Sequence, residues 1–269
     1  PYSNLFISKT GNKVFVSINI PDVNKRFIIR SETETGGYLL MEIDSSKIQY
    51  KDGPSVLSDM NIGLDEMLLA NNQFAADSDG PVSIDIMIVY THGAYEDAGL
   101  YFGGVDNYIA YLMNEANTAL EQSRIYASLN LVHSAMVDYV ENKIAYKYDP
   151  VLGDITNGSL YAALRHLGEQ DSYMEEVRDW RDKYGADLVT LLVSNRILQN
   201  SNNIAGVANQ LTNVSGNSND VFSVIVTRFS NYTFIHELGH NMGCGHSKYQ
   251  STYNYGGLFS YSYGWRWAN

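Results

Sequence analysis

The chain has 269 residues, of which 30 are acidic and 18 are basic, and its formal net charge at pH 7 is −12. This length allows one large domain or two smaller ones. The sequence contains no run of about twenty apolar residues, the length needed to span a membrane. Lysine and arginine are not clustered, which argues against a nucleic-acid partner. Cys244 is the only cysteine, so no disulfide can close within the chain. We expect either a packed free thiol or a partner for a cysteine in a C-terminal part that follows Asn269.

Residues 1–78 are predicted to form a small β-rich unit. Turn signals at Pro21 and Gly36 separate three segments whose apolar and β-branched residues are typical of strands. These segments are KVFVSINI, KRFIIR and GYLLMEI. The polar run AADSDGP that follows predicts a linker, which divides the chain into a β-rich domain at residues 1–78 and a second domain at residues 79–269.

The second domain alternates between predicted strands and predicted helices. The strands are Ser83–Thr91, Ala127–Val137 and Ala186–Val193, and the helices are Val105–Arg124 and Ser159–Lys183. Strands that alternate with helices usually form parallel sheets, because each helix returns the chain to the same end of the sheet. We therefore predict an α/β domain with a mostly parallel twisted sheet and long helices.

The sequence HELGHNMGCGH carries the clearest chemical signal. His236 and His240 are four residues apart, so they lie on one face of a helix, where both can bind one metal ion. Glu237 is next to them, and its carboxylate can reach a metal-bound water as a general base. Gly243 stands where a helix often ends, and a sharp turn there would bring His246 back as a third ligand.

Three protein ligands leave the fourth position of a tetrahedral zinc ion open for water, which distinguishes catalytic from structural zinc sites. Zinc lowers the pKa of that water from about 16 to about 7, so a nucleophile is available at neutral pH. The expected reaction is attack of this water on an amide carbonyl. Glu237 would take the proton and pass it to the leaving nitrogen.

The five fixed positions of HExxHxxGxxH resemble the active-site helix of the metzincin zinc endopeptidases. The LGHN sequence is most similar to the adamalysin or reprolysin branch and its bacterial relatives. This resemblance implies that His236, His240 and His246 bind zinc and that Glu237 is the catalytic base. The order of the predicted elements from about residue 82 onwards is also similar to the N-terminal part of a metzincin catalytic domain.

The sequence departs from the metzincin pattern at two places. Metzincins have a methionine in a tight turn after the third histidine, whereas the last methionine here is Met242. We expect that turn to follow Asn269, so that the second domain is truncated before the Met-turn. Ser247 stands where adamalysins usually have an aspartate. We expect packing or surface roles, rather than a place beside the metal, for four tyrosines, namely Tyr253, Tyr255, Tyr261 and Tyr263.

The segment IAGVA at residues 204–208 resembles the edge strand of the metzincin sheet. The resemblance implies that Gly206, Val207 and Ala208 bind the backbone of an extended peptide substrate, which would add to the sheet as one more strand. Gly206 is equally consistent with an ordinary β-bulge.

Because residues 1–78 precede the predicted catalytic domain, they resemble a propeptide. They contain no cysteine, which excludes the thiolate that blocks zinc in many metzincin zymogens. If the segment inhibits the site, we expect either that Asp44, Asp52 or Asp59 binds the metal or that the segment covers the cleft. A β-rich accessory or binding domain is the alternative.

We therefore predict a zinc-dependent endopeptidase that hydrolyses internal peptide bonds of proteins, with Zn²⁺ as its cofactor and proteins or peptides as its substrates. The alternatives are a non-catalytic zinc-containing protein that binds proteins or glycans, an inactive zymogen form, and a zinc hydrolase of non-peptide amides. The resemblance to secreted proteases implies a secreted or cell-surface location, although the sequence starts at Pro1 without a signal peptide.

Overall fold

The computed structural model describes residues 3–32, 35–44, 56–57, 80–141, 160–194, 204–228, 232–247 and 257–264. Within these ranges the strands form two sheets, one of four strands and one of six. No helix in the same ranges is long and apolar enough to cross a membrane.

The N-terminal sheet is an antiparallel meander in chain order. Its strands are β1 (Asn4–Thr10), β2 (Lys13–Ile20), β3 (Lys25–Ser31) and β4 (Tyr38–Ile43). The last three confirm the three predicted strands. Strand β1 was not predicted, because NLFISKT is largely polar and its place in the sheet depends on pairing with β2 along its whole length.

The second sheet is mostly parallel, as predicted. Its strands are β5 (Val56–Leu57), β6 (Val82–Tyr90), β7 (Ala127–Met136), β8 (Leu188–Val193), β9 (Gly206–Gln210) and β10 (Phe222–Val226). They lie in the order β5-β9-β10-β8-β6-β7. The pairs β6–β7, β6–β8, β8–β10 and β5–β9 are parallel, and β9 is antiparallel to β10.

Five α-helices occur in the described residues, namely α1 (His92–Phe102), α2 (Val105–Gln122), α3 (Leu160–Gly168), α4 (Glu176–Tyr184) and α5 (Thr233–Asn241). The prediction of one helix over Ser159–Lys183 was wrong, because two helices occupy this stretch. Between them Ser172 and Met174 have left-handed backbone angles, with φ of 74° and 49°. Asp171 Oδ1 accepts the Tyr173 N–H, and this turn replaces helical hydrogen bonds.

Helix α1 and strand β10 were not predicted. The sequence does contain signals for α1, since the Thr91 hydroxyl caps its start by accepting the Ala94 N–H and Gly103 ends it with φ of 75°. Strand β10 is only five residues long and buried throughout, and a short apolar run of that kind does not distinguish a strand from a buried helix turn.

The central strands are buried on both faces, so the sheet separates two apolar clusters. In β6, Ile86 and Ile88 point into the cluster that contains α1, α2 and α5, whereas Met87 and Val89 point into the cluster that contains α3 and α4. Because both faces are buried, the residues from Ile86 to Val89 are all apolar, without the polar residue at every second position that a half-exposed strand has. The predicted metal-binding residues thus lie on the α1, α2 and α5 side of the sheet.

The N-terminal sheet packs against helix α2 and shares a core with it. Phe15 and Ile28 belong to the same buried cluster as Tyr108, and the Phe15 ring meets the Tyr111 ring edge-on at 5.7 Å. Burial of two large apolar side chains contributes about 3–6 kcal/mol to this contact. The division at residue 78 stays a prediction.

Candidate metal centre

Helix α5 presents its apolar side to the core and its histidines to the opposite side. Phe234 and Leu238 are buried in the apolar cluster that contains α1 and α2, and Ile235 and Met242 pack against this cluster. This is the three-and-four spacing expected of an amphipathic helix. The helix position is therefore set by packing, independently of any metal.

The end of α5 is a Schellman motif, which returns the chain towards the helix. Gly243 has φ of 87°, its N–H donates to His240 O at 2.9 Å, and the Cys244 N–H donates to Gly239 O at 2.8 Å. A side chain at residue 243 would also meet Leu258 Cβ at 2.7 Å. The predicted turn at Gly243 is thus confirmed, and it brings His246 beside the two helical histidines.

The three histidines converge on one point. Their Nε2 atoms form a triangle with sides of 3.1 Å between His236 and His246, 3.2 Å between His236 and His240, and 3.1 Å between His240 and His246. A tetrahedral zinc ion with Zn–N bonds of about 2.0–2.1 Å separates its nitrogen ligands by about 3.3–3.4 Å. The triangle is within a few tenths of an ångström of that spacing.

The hydrogen bonding of His240 fits a metal ligand. Its Nδ1 lies 2.7 Å from the carbonyl oxygen of Cys244, and because a carbonyl only accepts hydrogen bonds, Nδ1 must carry the proton. The neutral ring then has a lone pair on Nε2, which points at the other two rings. Converging lone pairs repel one another unless a cation lies between them, so the donor set fits zinc.

Glu237 lies on the same helix between the sheet and the histidines. It is 3% exposed, and its side chain packs directly against Gly206 at the start of β9. A Cβ atom on Gly206 would be 2.7 Å from Glu237 Oε1. The structure therefore brings together the predicted base and Gly206, the first of the three predicted substrate-binding residues.

Strand β9 was predicted at Ile204–Ala208 and occurs two residues later. Ile225, Val224 and Ser223 of β10 pair with Gly206, Val207 and Ala208 in an unbroken antiparallel register. A β-bulge at Gly206 is therefore wrong. The far edge of β9 pairs with β5, with Val56 opposite Asn209 and Leu57 opposite Gln210.

Asn241 fastens the helix to the sheet. Its Nδ2 atom lies 2.8 Å from Asn209 O and 2.9 Å from both Asp220 O and Phe222 O. The Leu211 N–H also donates to His240 O at 3.1 Å. The C-terminal end of α5 is thus bound to β9 and β10 by hydrogen bonds, a role that the sequence analysis did not foresee for Asn241.

Tyr161, at the start of α3, is a second residue near the centre that sequence reasoning missed. Burial, and then the negative charge of Glu237, raise the pKa of the Tyr161 phenol well above its ordinary value. The phenol is therefore protonated at neutral pH. No sequence motif marks it, because it lies 76 residues before Glu237 in the chain.

Other predicted residues take no part in the cluster of metal-binding atoms. Among the described residues, that cluster contains only the three histidines, so Asp44 is not a ligand, and Asp52 and Asp59 lie outside the described residues. Tyr261 is exposed and Tyr263 half-buried, and Tyr253 and Tyr255 lie outside the described residues. The packed thiol predicted at Cys244 was wrong, since this residue is exposed.

A buried carboxylate joins the N-terminal sheet to the start of α5. Glu115 on α2 accepts the Tyr111 hydroxyl at 3.0 Å and the backbone N–H of Tyr232. Arg26 of β3 lies 3.7 Å away, too far for a short charge-assisted hydrogen bond. Burial therefore prevails over these partners and raises the pKa of Glu115 from 4.5 to about 7.

This pKa predicts a measurable dependence of stability on pH. The folded protein binds the Glu115 proton more tightly than the unfolded chain, so the stabilisation is complete below about pH 4.5 and is lost as pH rises through 7. Glu115→Gln removes that titration. We expect the free energy of unfolding of wild type, relative to this variant, to fall by about 3 kcal/mol between pH 4.5 and pH 8, measured by urea unfolding. Parallel curves would contradict the raised pKa.

The mostly parallel sheet, the helix with two histidines and the turn to a third histidine together form a candidate metal centre of the kind found in metallopeptidases. Residues 81–265 match the family described as Metallo-peptidase family M12. The chain therefore belongs to this family, which confirms the resemblance to the metzincins.

Two individual proteins are similar to parts of this chain. A peptidyl-Asp metalloendopeptidase of Pseudomonas aeruginosa is 28% identical over 202 residues, covering 69% of this chain and 30% of the relative. The chain thus spans about a third of the length of that relative. A solved structure of a chaperone-substrate complex covers 66% of this chain and 26% of the other chain, with 18% identity and a TM-score of 0.46.

Proposed function

We propose that this chain is a zinc-dependent endopeptidase that hydrolyses internal peptide bonds of proteins. The observation that supports it best is the triangle of His236, His240 and His246 Nε2 atoms with a buried glutamate, Glu237, on the same helix. Membership of a metallopeptidase family supports the reaction class. Zinc is proposed as the metal because three imidazole nitrogens at this spacing suit tetrahedral coordination.

In this proposal Glu237 moves the proton. Zinc, when bound, supplies a Lewis acid that lowers the pKa of water to about 7 and polarises a carbonyl group. The Glu237 carboxylate accepts the proton from the attacking water and donates it to the nitrogen of the leaving amine. Its burial keeps bulk water away from the carboxylate and strengthens its electrostatic interactions. His240 keeps its Nε2 lone pair directed at the metal through the hydrogen bond to Cys244 O.

The proposed substrate is an extended peptide that pairs with the backbone of Gly206, Val207 and Ala208. Support comes from the position of β9, the strand of the six-stranded sheet that packs against Glu237. In the described residues β9 is the second strand of the sheet, and β5 pairs with its outer side at Asn209 and Gln210. A peptide added to that outer side beside Gly206, Val207 and Ala208 would run past the histidines in a defined direction. The Pseudomonas aeruginosa relative is named a peptidyl-Asp metalloendopeptidase.

Removal of the metal is the direct test. We expect hydrolysis of casein and of an internally quenched peptide to fall to background after chelation and dialysis, and to return when zinc is added at one ion per chain. Magnesium, which prefers six oxygen ligands, serves as the control and should restore nothing. Hydrolysis that survives complete zinc removal would contradict the proposal. A parallel panel of non-peptide amides tests the other hydrolase class.

We also propose that residues 1–78 restrain the site in this form of the chain. Strand β5 occupies the outer edge of β9 at Asn209 and Gln210, and all of β9 is buried. The pairing of β5 with β9 therefore occupies part of the side of β9 to which an incoming peptide strand would bind. A secreted or cell-surface location stays a prediction from the family resemblance.

A proline in β5 tests this restraint. Leu57→Pro removes a backbone N–H and should weaken the pairing with β9, so we expect a severalfold rise in kcat/KM for a short quenched peptide. Leu57→Ala keeps the N–H and is the matched control, expected to cleave at the wild-type rate. Equal rates for both variants and wild type would argue for an accessory role of the N-terminal residues.

A further inference from the structure

The backbone conformation of residue 206 does not require a glycine. Its φ lies outside the left-handed region that favours glycine, and it pairs with Ile225 in regular register. A Cβ atom here would lie 2.7 Å from Glu237 Oε1, 2.8 Å from Cγ and 3.0 Å from Cδ. Carbon atoms in contact are normally about 3.5–4.0 Å apart. The Glu237 side chain therefore fills the space that a side chain at residue 206 would occupy.

The two backbones cannot easily move apart to admit an added methyl group. The Leu211 N–H donates to His240 O at 3.1 Å, and Asn241 Nδ2 donates to Asn209 O at 2.8 Å. These bonds hold the last turn of α5 against the end of β9. A methyl group on residue 206 would consequently displace the flexible Glu237 side chain rather than the helix.

We propose that Gly206 is a positioning residue that keeps the Glu237 carboxylate in its catalytic place by leaving room for it beside β9. This inference rests on the proposed function, in which Glu237 is the general base. In this proposal Gly206 has two roles. Its backbone pairs with the substrate, and because it has no side chain, the Glu237 carboxylate has room beside β9.

The test is Gly206→Ala, assayed on a quenched peptide. We expect kcat to fall about tenfold to a hundredfold, since displacement of a reacting group by about 1 Å costs that much. KM should stay within twofold because the backbone N–H and C=O of residue 206 are unchanged. Gly168→Ala is the matched control, since its Cβ would meet Phe222 Cδ2 at 3.7 Å and Asn209 Nδ2 at 3.8 Å, which are ordinary contacts. It should keep wild-type kcat.

A double-mutant cycle with Glu237→Asp shows whether the effect acts through Glu237. The shorter aspartate no longer reaches the space beside residue 206, so adding Gly206→Ala to it should change kcat less than twofold. A full additional loss, or a rise in KM with unchanged kcat, would overturn the proposal in favour of substrate pairing alone.

A crystal structure of Gly206→Ala gives a readout that does not depend on activity. We expect the carboxylate to move by about 1 Å or more while the histidine triangle and the zinc content are unchanged. A carboxylate that stays in place would overturn the positioning role. A displaced carboxylate in a protein whose wild type cleaves no peptide would support the positioning role and count against the proposed function instead.

Discussion

Replacement of Glu237 by glutamine is expected to remove most peptide hydrolysis while leaving metal binding intact. Glutamine has the shape of glutamate, so its side chain still fits against Gly206, but its amide does not accept a proton from water at neutral pH. Loss of a general acid–base group lowers the rate by about 10²–10⁴. The three histidines are unchanged, so we expect one zinc per chain by elemental analysis alongside the kinetic measurement.

The exposed Glu121 on α2 provides the matched control for this substitution. Glu121→Gln makes the same chemical change at a residue outside the histidine cluster, and kcat/KM should remain at the wild-type value. Hydrolysis by Glu237→Gln within tenfold of wild type would remove Glu237 from the role of base. Zinc-loaded wild type that cleaves no peptide would favour the non-catalytic binding protein.

The clustering of the three histidines could be predicted from sequence because the turn that produces it is local. His236 and His240 share a helix face by their spacing alone, and Gly243 indicates where the helix ends. The Schellman hydrogen bonds then turn the chain back at Gly243, and hydrogen bonds from the Gly245 N–H to Ser262 O and from the Gly264 N–H to Gly245 O hold the segment that carries His246.

The surroundings of the centre could not be predicted because they depend on contacts between distant segments. Gly206 and Glu237 are 31 residues apart and meet only because α5 packs against β9. Tyr161 and Asn241 have no motif that distinguishes them from ordinary helix residues. The break between α3 and α4 was missed for another reason, since apolar spacing continues through the stretch and hides the turn around Asp171.

Replacement of Asn241 by aspartate is expected to lower the free energy of unfolding strongly. Asn241 is 3% exposed, and its Nδ2 donates to the carbonyl oxygens of Asn209, Asp220 and Phe222. An aspartate carboxylate has the same shape as the amide but no N–H to donate. Its negative charge would therefore lie next to the three carbonyl oxygens, shielded from water. A buried group left in that state costs about 3 kcal/mol or more, which urea unfolding at pH 7 would measure.

Asn213→Asp supplies the control for this effect. Asn213 is exposed, and its Oδ1 accepts the Ser215 N–H at 2.9 Å, a bond that aspartate retains. We expect a change within about 0.5 kcal/mol. Zinc in excess stabilises both variants by mass action, so the gap between them should persist in its presence if Asn241 acts by joining α5 to the sheet. Coincident unfolding curves for Asn241→Asp and Asn213→Asp would mean that the hydrogen bonds of Asn241 do not stabilise the protein. They would also argue against a helix α5 that is held firmly enough to position Glu237.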